Sequence, residues 1–189
     1  LLTVLLIIGW GTLSAASEPP QRIVSTNLCN DQLLMLLAEP ERITSISYLA
    51  LEPDSSYMHH EAAAYPVNHA EVEELLALKP DLILAGGFTQ DNMIRLMRQL
   101  GYTVEVFQPT SSIDEIRFNI RRMAKLLGRE ARGEEIIQQM DQRIKQATAQ
   151  PFGEPLPALF YQPRGYTSGS NTVQNEALTM TGWSNVSAE

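Results

Sequence analysis

Cysteine is almost missing from the sequence: Cys29 is the only one in 189 residues. No internal disulfide can form, and no paired-cysteine or Cys/His spacing for zinc exists. A lone cysteine ordinarily packs as a small apolar residue. Basic residues are scarce as well, 14 Lys and Arg against 22 Asp and Glu, for a formal net charge of −8. Nucleic-acid affinity is built on Lys and Arg neutralising phosphates, so that class of partner is set aside. The motifs GxSxG, GxxxxGK[ST], HExxH and GxGxxG are all absent, which removes the nucleophile elbow, the phosphate loop, the zincin helix and the dinucleotide fingerprint. No catalytic residue and no resident cofactor is assigned.

The longest apolar run is confined to the start. Leu1 to Ile8, followed by Gly9, Trp10 and Gly11, has signal-peptide length and is too short to span a bilayer. Ser14 and Ala16 fit the small-residue positions of a signal-peptidase site, and Ser17 to Gln21 is polar and helix-breaking. Residues 1–16 are therefore an expected export segment, without a basic n-region or initiator methionine before it; a buried N-terminal strand is the alternative. Cys29 lies too far downstream, behind polar residues, to serve as a lipid-anchor cysteine.

What remains is a folded composition, 44% apolar and 19% charged. Arg22 to Thr26 reads as a strand, Asn30-Asp31 opens a helix carrying Leu33, Leu34, Leu36 and Leu37, and Ile43 to Tyr48 reads as a second strand. A long irregular loop, Leu49 to Asn68, follows. Ala70 to Lys79 is a short helix ended by Pro80, Leu82 to Ala85 a continuously apolar strand, Asp91 to Leu100 a helix with Gly101 at its left-handed end, and Val104 to Phe107 a strand. This β-α alternation predicts a parallel sheet with helical crossovers. Ser112 to Glu115 has capping-box form, and two helical stretches separated by Gly128 fill residues 111–150, a candidate spacer. Pro151, Gly153, Pro155 and Pro157 mark a boundary; Ala158 to Tyr161 starts another strand and Val173 to Met180 another helix.

In open α/β sheets ligands bind beyond the carboxyl ends of the strands. The loops there hold Asn27 and Cys29, Tyr48 and Tyr57, Phe88 and, in the last unit, Tyr166. These six are the candidate ligand-binding residues, the aromatic four as stacking groups. Aromatic and neutral polar side chains suit a bulky ligand held by stacking and hydrogen bonds better than bond breaking. His59, His60 and His69 are weighed as metal ligands, but adjacent histidines in a loop need not converge, and no metal site is assigned. Glu71, Glu73 and Glu74 open a helix, where acidic residues ordinarily compensate the helix dipole.

Arg22-Ile23-Val24-Ser25, the run Leu75 to Leu84 containing Ala77-Leu78-Lys79-Pro80-Asp81-Leu82, and Thr167-Ser168-Gly169 ahead of Gln174 to Leu178 resemble the cobalamin and iron-siderophore periplasmic binding proteins. The resemblance runs from about Gln21 to the end. It implies two Rossmann-like α/β lobes joined by a rigid helix: an N-terminal lobe over 21–110, a helical linker over 111–150 and the start of a C-terminal lobe over 155–189. It implies a monomeric periplasmic receptor that captures a corrinoid or ferric siderophore in the interlobe cleft and delivers it to an ABC permease. The first-lobe glutamate that pairs with permease arginines falls on Glu73, and its second-lobe counterpart is expected beyond Glu189. Where cobalamin-binding relatives often carry an aromatic residue directly after the strand, Gly86 stands here, with Phe88 two positions on. A metal-ion or haem receptor of the same fold, an exported α/β enzyme using His59 or His60, and a surface interaction protein are the competing readings.

Overall fold

The computed structural model describes residues 18–149 and 153–188. The expected export segment lies outside them. Five strands, β1 (Ile23–Ser25), β2 (Ile43–Ser47), β3 (Val67–Asn68), β4 (Leu82–Gly86) and β5 (Val104–Phe107), form one sheet in the order β3-β2-β1-β4-β5. Every pairing is parallel. The crossovers are α1 (Leu28–Leu37), α2 (His59–Ala62), α3 (Val72–Leu78) and α4 (Asp91–Gln99).

Because β-strand side chains alternate between faces, the apolar run of β4 must be covered twice. Leu82 and Leu84 join Ile23, Leu34, Leu37 and Met123 in one core, whereas Ile83 and Ala85 join Val24, Leu75, Met93 and Met97 in the other. The first core lies under α1, the second under α3 and α4. This is the parallel α/β lobe that the sequence predicts.

The segment read as a spacer is a helical hairpin. In α5 (Ile113–Leu127) the Ser112 hydroxyl accepts from Glu115 N at 3.2 Å. The reciprocal half of the box is displaced by one residue: the Glu115 carboxylate accepts from Ser111 N at 2.6 Å. Gly128, at φ +68°, turns the chain in the left-handed conformation that closes α5. The returning helix α6 (Glu130–Ala147) is tied to α5 by Arg117–Asp141 and Arg121–Glu134, each at 2.6 Å. Ile120, Met123, Ala124 and Leu127 are buried, the last three in the core that also holds Ile23 and Leu34, so α5 covers the first sheet.

Three local readings change. The first helix begins at Leu28, two residues before the Asn30-Asp31 start, because the Asn27 side chain caps it by accepting from Cys29 N and Asn30 N at 3.1 and 3.4 Å. The supposed irregular loop contains a 3-10 turn at Tyr48–Leu51, α2 and the two-residue β3. Strand β3 escapes a hydrophobic pattern because Asn68 anchors it: its amide nitrogen donates to Ser25 O, Ser45 Oγ and Ile46 O within 3.0 Å. Finally, the strand expected at Ala158 to Tyr161 lies earlier, at β6 (Leu156–Ala158). It pairs in parallel with β7 (Trp183–Asn185) around α7 (Val173–Met180), while Tyr161 only bridges Thr167.

Candidate ligand-binding site

Strand order reverses between β1 and β4: β2 and β3 extend the sheet on one side of β1, β4 and β5 on the other. Such a switch point splays two loops apart and leaves a crevice beyond the carboxyl ends of the strands. Here the two loops are Thr26-Asn27 and Gly86-Gly87-Phe88. They are locked to each other. Asn30 Nδ2 donates to Ala85 O at 3.0 Å, and a Cβ added to Gly86 would lie 2.5 Å from Asn27 Nδ2. Glycine is thus required at 86 by the close approach of the Asn27 amide, which is why no aromatic residue stands there.

Two cavities flank this contact. The first, about 430 Å³, lies between α1, α5, α6 and the loops after β4 and β5. Its apolar wall is Leu33, Leu36, Phe107, Ile116, Ile136 and Met140; Asn27, Asn30, Gln32, Gln108 and Asn119 supply neutral polar groups. The second, about 550 Å³, lies over the ends of β1 and β3 and the starts of α3 and α4, with His69, Glu71, Glu73, Thr89, Gln90 and Asn92 in its wall. Asn27 and Phe88 line both, and Phe88 is 88% exposed.

Of the six sequence-derived candidates, Asn27, Cys29 and Phe88 come together at the first cavity. Cys29 is exposed there, not packed away as a lone cysteine usually is. Tyr48 lines neither cavity but stacks on His69, ring centroids 5.0 Å apart, at the edge of the second. Tyr57 and Tyr166, 94% and 67% exposed, line neither. Glu73, expected to face away from the ligand, is exposed but forms part of the second cavity's wall. Its neighbour Glu74 is bound by His69, whose backbone N–H and ring approach it at 2.7 and 3.0 Å and hold its carboxyl below the usual range. Gln32, Gln108, Asn119 and Met140 were missed. They lie on helices and a loop whose pattern signals only an amphipathic face, and nothing in the sequence says which turn borders an opening.

Beneath the loops lies a polar layer. Asp31 is fully buried and accepts from Ser47 N at 3.2 Å and from the Ser47 hydroxyl. Burial pushes its carboxyl up to about 6, against the opposing pull of the Ser25 and Ser47 hydrogen bonds. The histidines do not converge: His59 Nδ1 lies 3.1 Å from Ser56 O, the His59 and His60 rings lie against each other, and His69 pairs with Glu74. Among the described residues no group of three or more His, Cys, Asp or Glu is placed to hold a metal ion.

A parallel sheet with both faces covered and ligand-sized cavities at its switch point defines an α/β binding lobe. The chain belongs to the periplasmic binding protein family, whose model matches residues 23–189. It is 25% identical over 181 residues to the cobalamin-binding protein of Halobacterium salinarum, covering 94% of this chain and 49% of that one. To the vitamin B12-binding protein of Yersinia pseudotuberculosis it is 28% identical over 201 residues, covering 98% and 66%. The chain therefore spans about half to two-thirds of the length of these relatives. A possible iron-binding periplasmic solute-binding protein from Staphylococcus epidermidis has the same fold, with TM-score 0.76 at 21% identity over 90% of this chain and 69% of that one.

Proposed function

We propose that this chain is the exported solute-binding component of an ABC importer that captures a corrinoid-like or ferric-siderophore-like ligand and releases it unchanged to the permease. The observation that carries the reading is the first cavity: apolar, rimmed by neutral amides and the Phe88 ring, at the switch point of a periplasmic-binding-protein lobe. Apolar walls with a few convergent polar groups suit reversible capture of a large ligand. The names of the Halobacterium and Yersinia relatives favour a corrinoid over a siderophore. Asn27, Cys29 and Phe88 contact the ligand in this reading. Tyr48, Tyr57 and Tyr166, which line neither cavity, stack in this reading only on parts of the ligand that extend beyond it, Tyr166 from the unit that starts near residue 155. Residues 21–110 are the first lobe and 111–150 join it to the second.

Export follows from the apolar start and the Ser14 to Ala16 cleavage pattern, and the mature protein works as a soluble periplasmic monomer. No helix among the described residues is long and apolar enough to cross a membrane. Glu73 is the permease contact. It is exposed and, among the described residues, carries no hydrogen bond or ion pair, so its carboxylate is available to a permease arginine.

The test is native mass spectrometry of the protein purified from the periplasm, offered cyanocobalamin, a ferric siderophore, haemin and free metal ions, together with uptake in cells whose gene is deleted. A one-to-one unmodified complex with a corrinoid or ferric siderophore, and lost uptake of that compound, are expected. Turnover of any of these compounds supports an enzyme instead, and binding of haemin or a bare metal alone reassigns the receptor.

A further inference from the structure

We infer that the site discriminates by charge, accepting ligands that are uncharged or cationic and excluding those that carry carboxylates or other anionic groups toward the lobe. This rests on the receptor reading and narrows its ligand class. Among the described residues, no lysine or arginine lines either cavity. Among the described residues, the wall of the first contains no carboxylate, ammonium, guanidinium or imidazole, and offers amides: Asn27, Asn30, Gln32, Gln108 and Asn119. Amides donate to and accept from neutral polar arms but do not neutralise an anion, and an anion moved into an apolar cavity without a counter-charge loses its hydration uncompensated.

Two guanidiniums of α5 near the first cavity are engaged elsewhere. The Arg122 guanidinium lies over the Phe107 ring, 4.3 Å from its centroid, and is held by Glu105 at 2.6 Å and Val106 O at 2.9 Å. Arg117, on the same helix as Ile116 and Asn119, is paired with Asp114 and Asp141. The imidazole in the second cavity, His69, is paired with Glu74. The same cavity exposes Glu71 and Glu73. Glu71 occupies the N-cap position of α3 without a side-chain capping bond, so its carboxylate is not used by its own helix. The chain's net charge of −8 adds the same sign at longer range. With Phe88 shared by both walls, a ligand with a flat apolar body can lie against the first cavity while cationic or hydrogen-bond-donating arms face the second.

Two pairs of probes test this on the periplasmic protein by calorimetric titration: cyanocobalamin, which has no net charge, against haemin, which carries two propionates; and cationic ferrioxamine B against an anionic ferric tricatecholate. Within each pair the non-anionic probe is expected to bind at least about tenfold tighter. An anionic probe that binds as tightly as its counterpart overturns the inference and leaves the receptor reading standing. If no probe binds, the receptor reading falls and this inference with it. Asn119→Lys, which adds a cation to the first wall, is expected to narrow the gap by strengthening the anionic probe. Glu71→Gln should weaken ferrioxamine B several-fold, and less at high salt, and weaken cyanocobalamin less than ferrioxamine B. An unchanged charge preference in both variants counts against the inference even if the wild-type order is as expected.

Discussion

At the scale of single residues, Asp31 sets a pH dependence. Its carboxyl titrates near 6 in the folded protein and at 3.8 in the unfolded chain. Between those values the folded state holds a proton that the unfolded state has released, so stability is greatest at the acidic end and falls as pH rises toward 6. Above that, keeping the carboxylate ionised and buried costs about 3 kcal/mol. Asp31→Asn retains an acceptor for Ser47 N and can donate to the Ser47 hydroxyl. Denaturant unfolding from about pH 4 to about pH 7 should lose this downward contribution in the variant, with a gain at neutral pH; an unchanged profile would show that Asp31 is not the group responsible. Gly86 makes a steric demand. Gly86→Ala drives a methyl into the Asn27 amide, dislodging the cap of α1, and is expected to cost about 1–2 kcal/mol in thermal or denaturant unfolding.

Among the elements, the α5–α6 hairpin decides the shape of the first cavity, because Ile116, Asn119 and Ile120 come from one helix and Ile136 and Met140 from the other. The helices approach closely at Gly133, where an added Cβ would stand 2.6 Å from Ala124 Cβ. Gly133→Leu must wedge them apart. The expected outcome is a loss of about 1–3 kcal/mol and a weaker ligand complex, since Ile136 and Met140 follow on the same face of α6. Ser112→Ala removes the cap of α5 and should cost about 1 kcal/mol. Its effect on binding is expected to be small, and comparison of the two variants by titration separates cavity shape from helix stability.

For the whole molecule, the last unit meets the first at α5: the Glu176 carboxylate, from α7, accepts from Ile113 N at 2.7 Å. A carboxylate at a helix N-terminus is favourable to the helix dipole and uses an amide that the helix itself leaves unpaired. Transport tests the acidic start of α3. Glu73→Ala is expected to reduce permease association and uptake at saturating ligand, with docking more sensitive to salt, because a rim charge governs association rate more than stability. Saturation removes any contribution from the second cavity, whose wall Glu73 shares. Normal association and uptake would return Glu73 to an ordinary first-turn acidic residue.

The amino-acid sequence by itself determined the parallel α/β lobe. Continuous apolarity in Leu82 to Ala85, helix periodicity around it, and Pro80, Gly101 and Gly128 at the element ends are local signals, and the cores and caps agree with them. It also placed Asn27, Cys29 and Phe88 on the strand-end loops that border the first cavity, since loops at strand ends follow from strand order and direction alone. Only the tertiary structure decided which strand-end loops converge. Tyr57 and Tyr48 look equivalent in sequence to Phe88, but β2 lies on the far side of β1 from the switch point, so their loop opens away from the first cavity. Strand β3 and the requirement for glycine at 86 were invisible for a related reason. Each depends on an asparagine amide, Asn68 or Asn27, reaching backbone or side chains that lie far away in sequence, and such a contact leaves no periodicity to read.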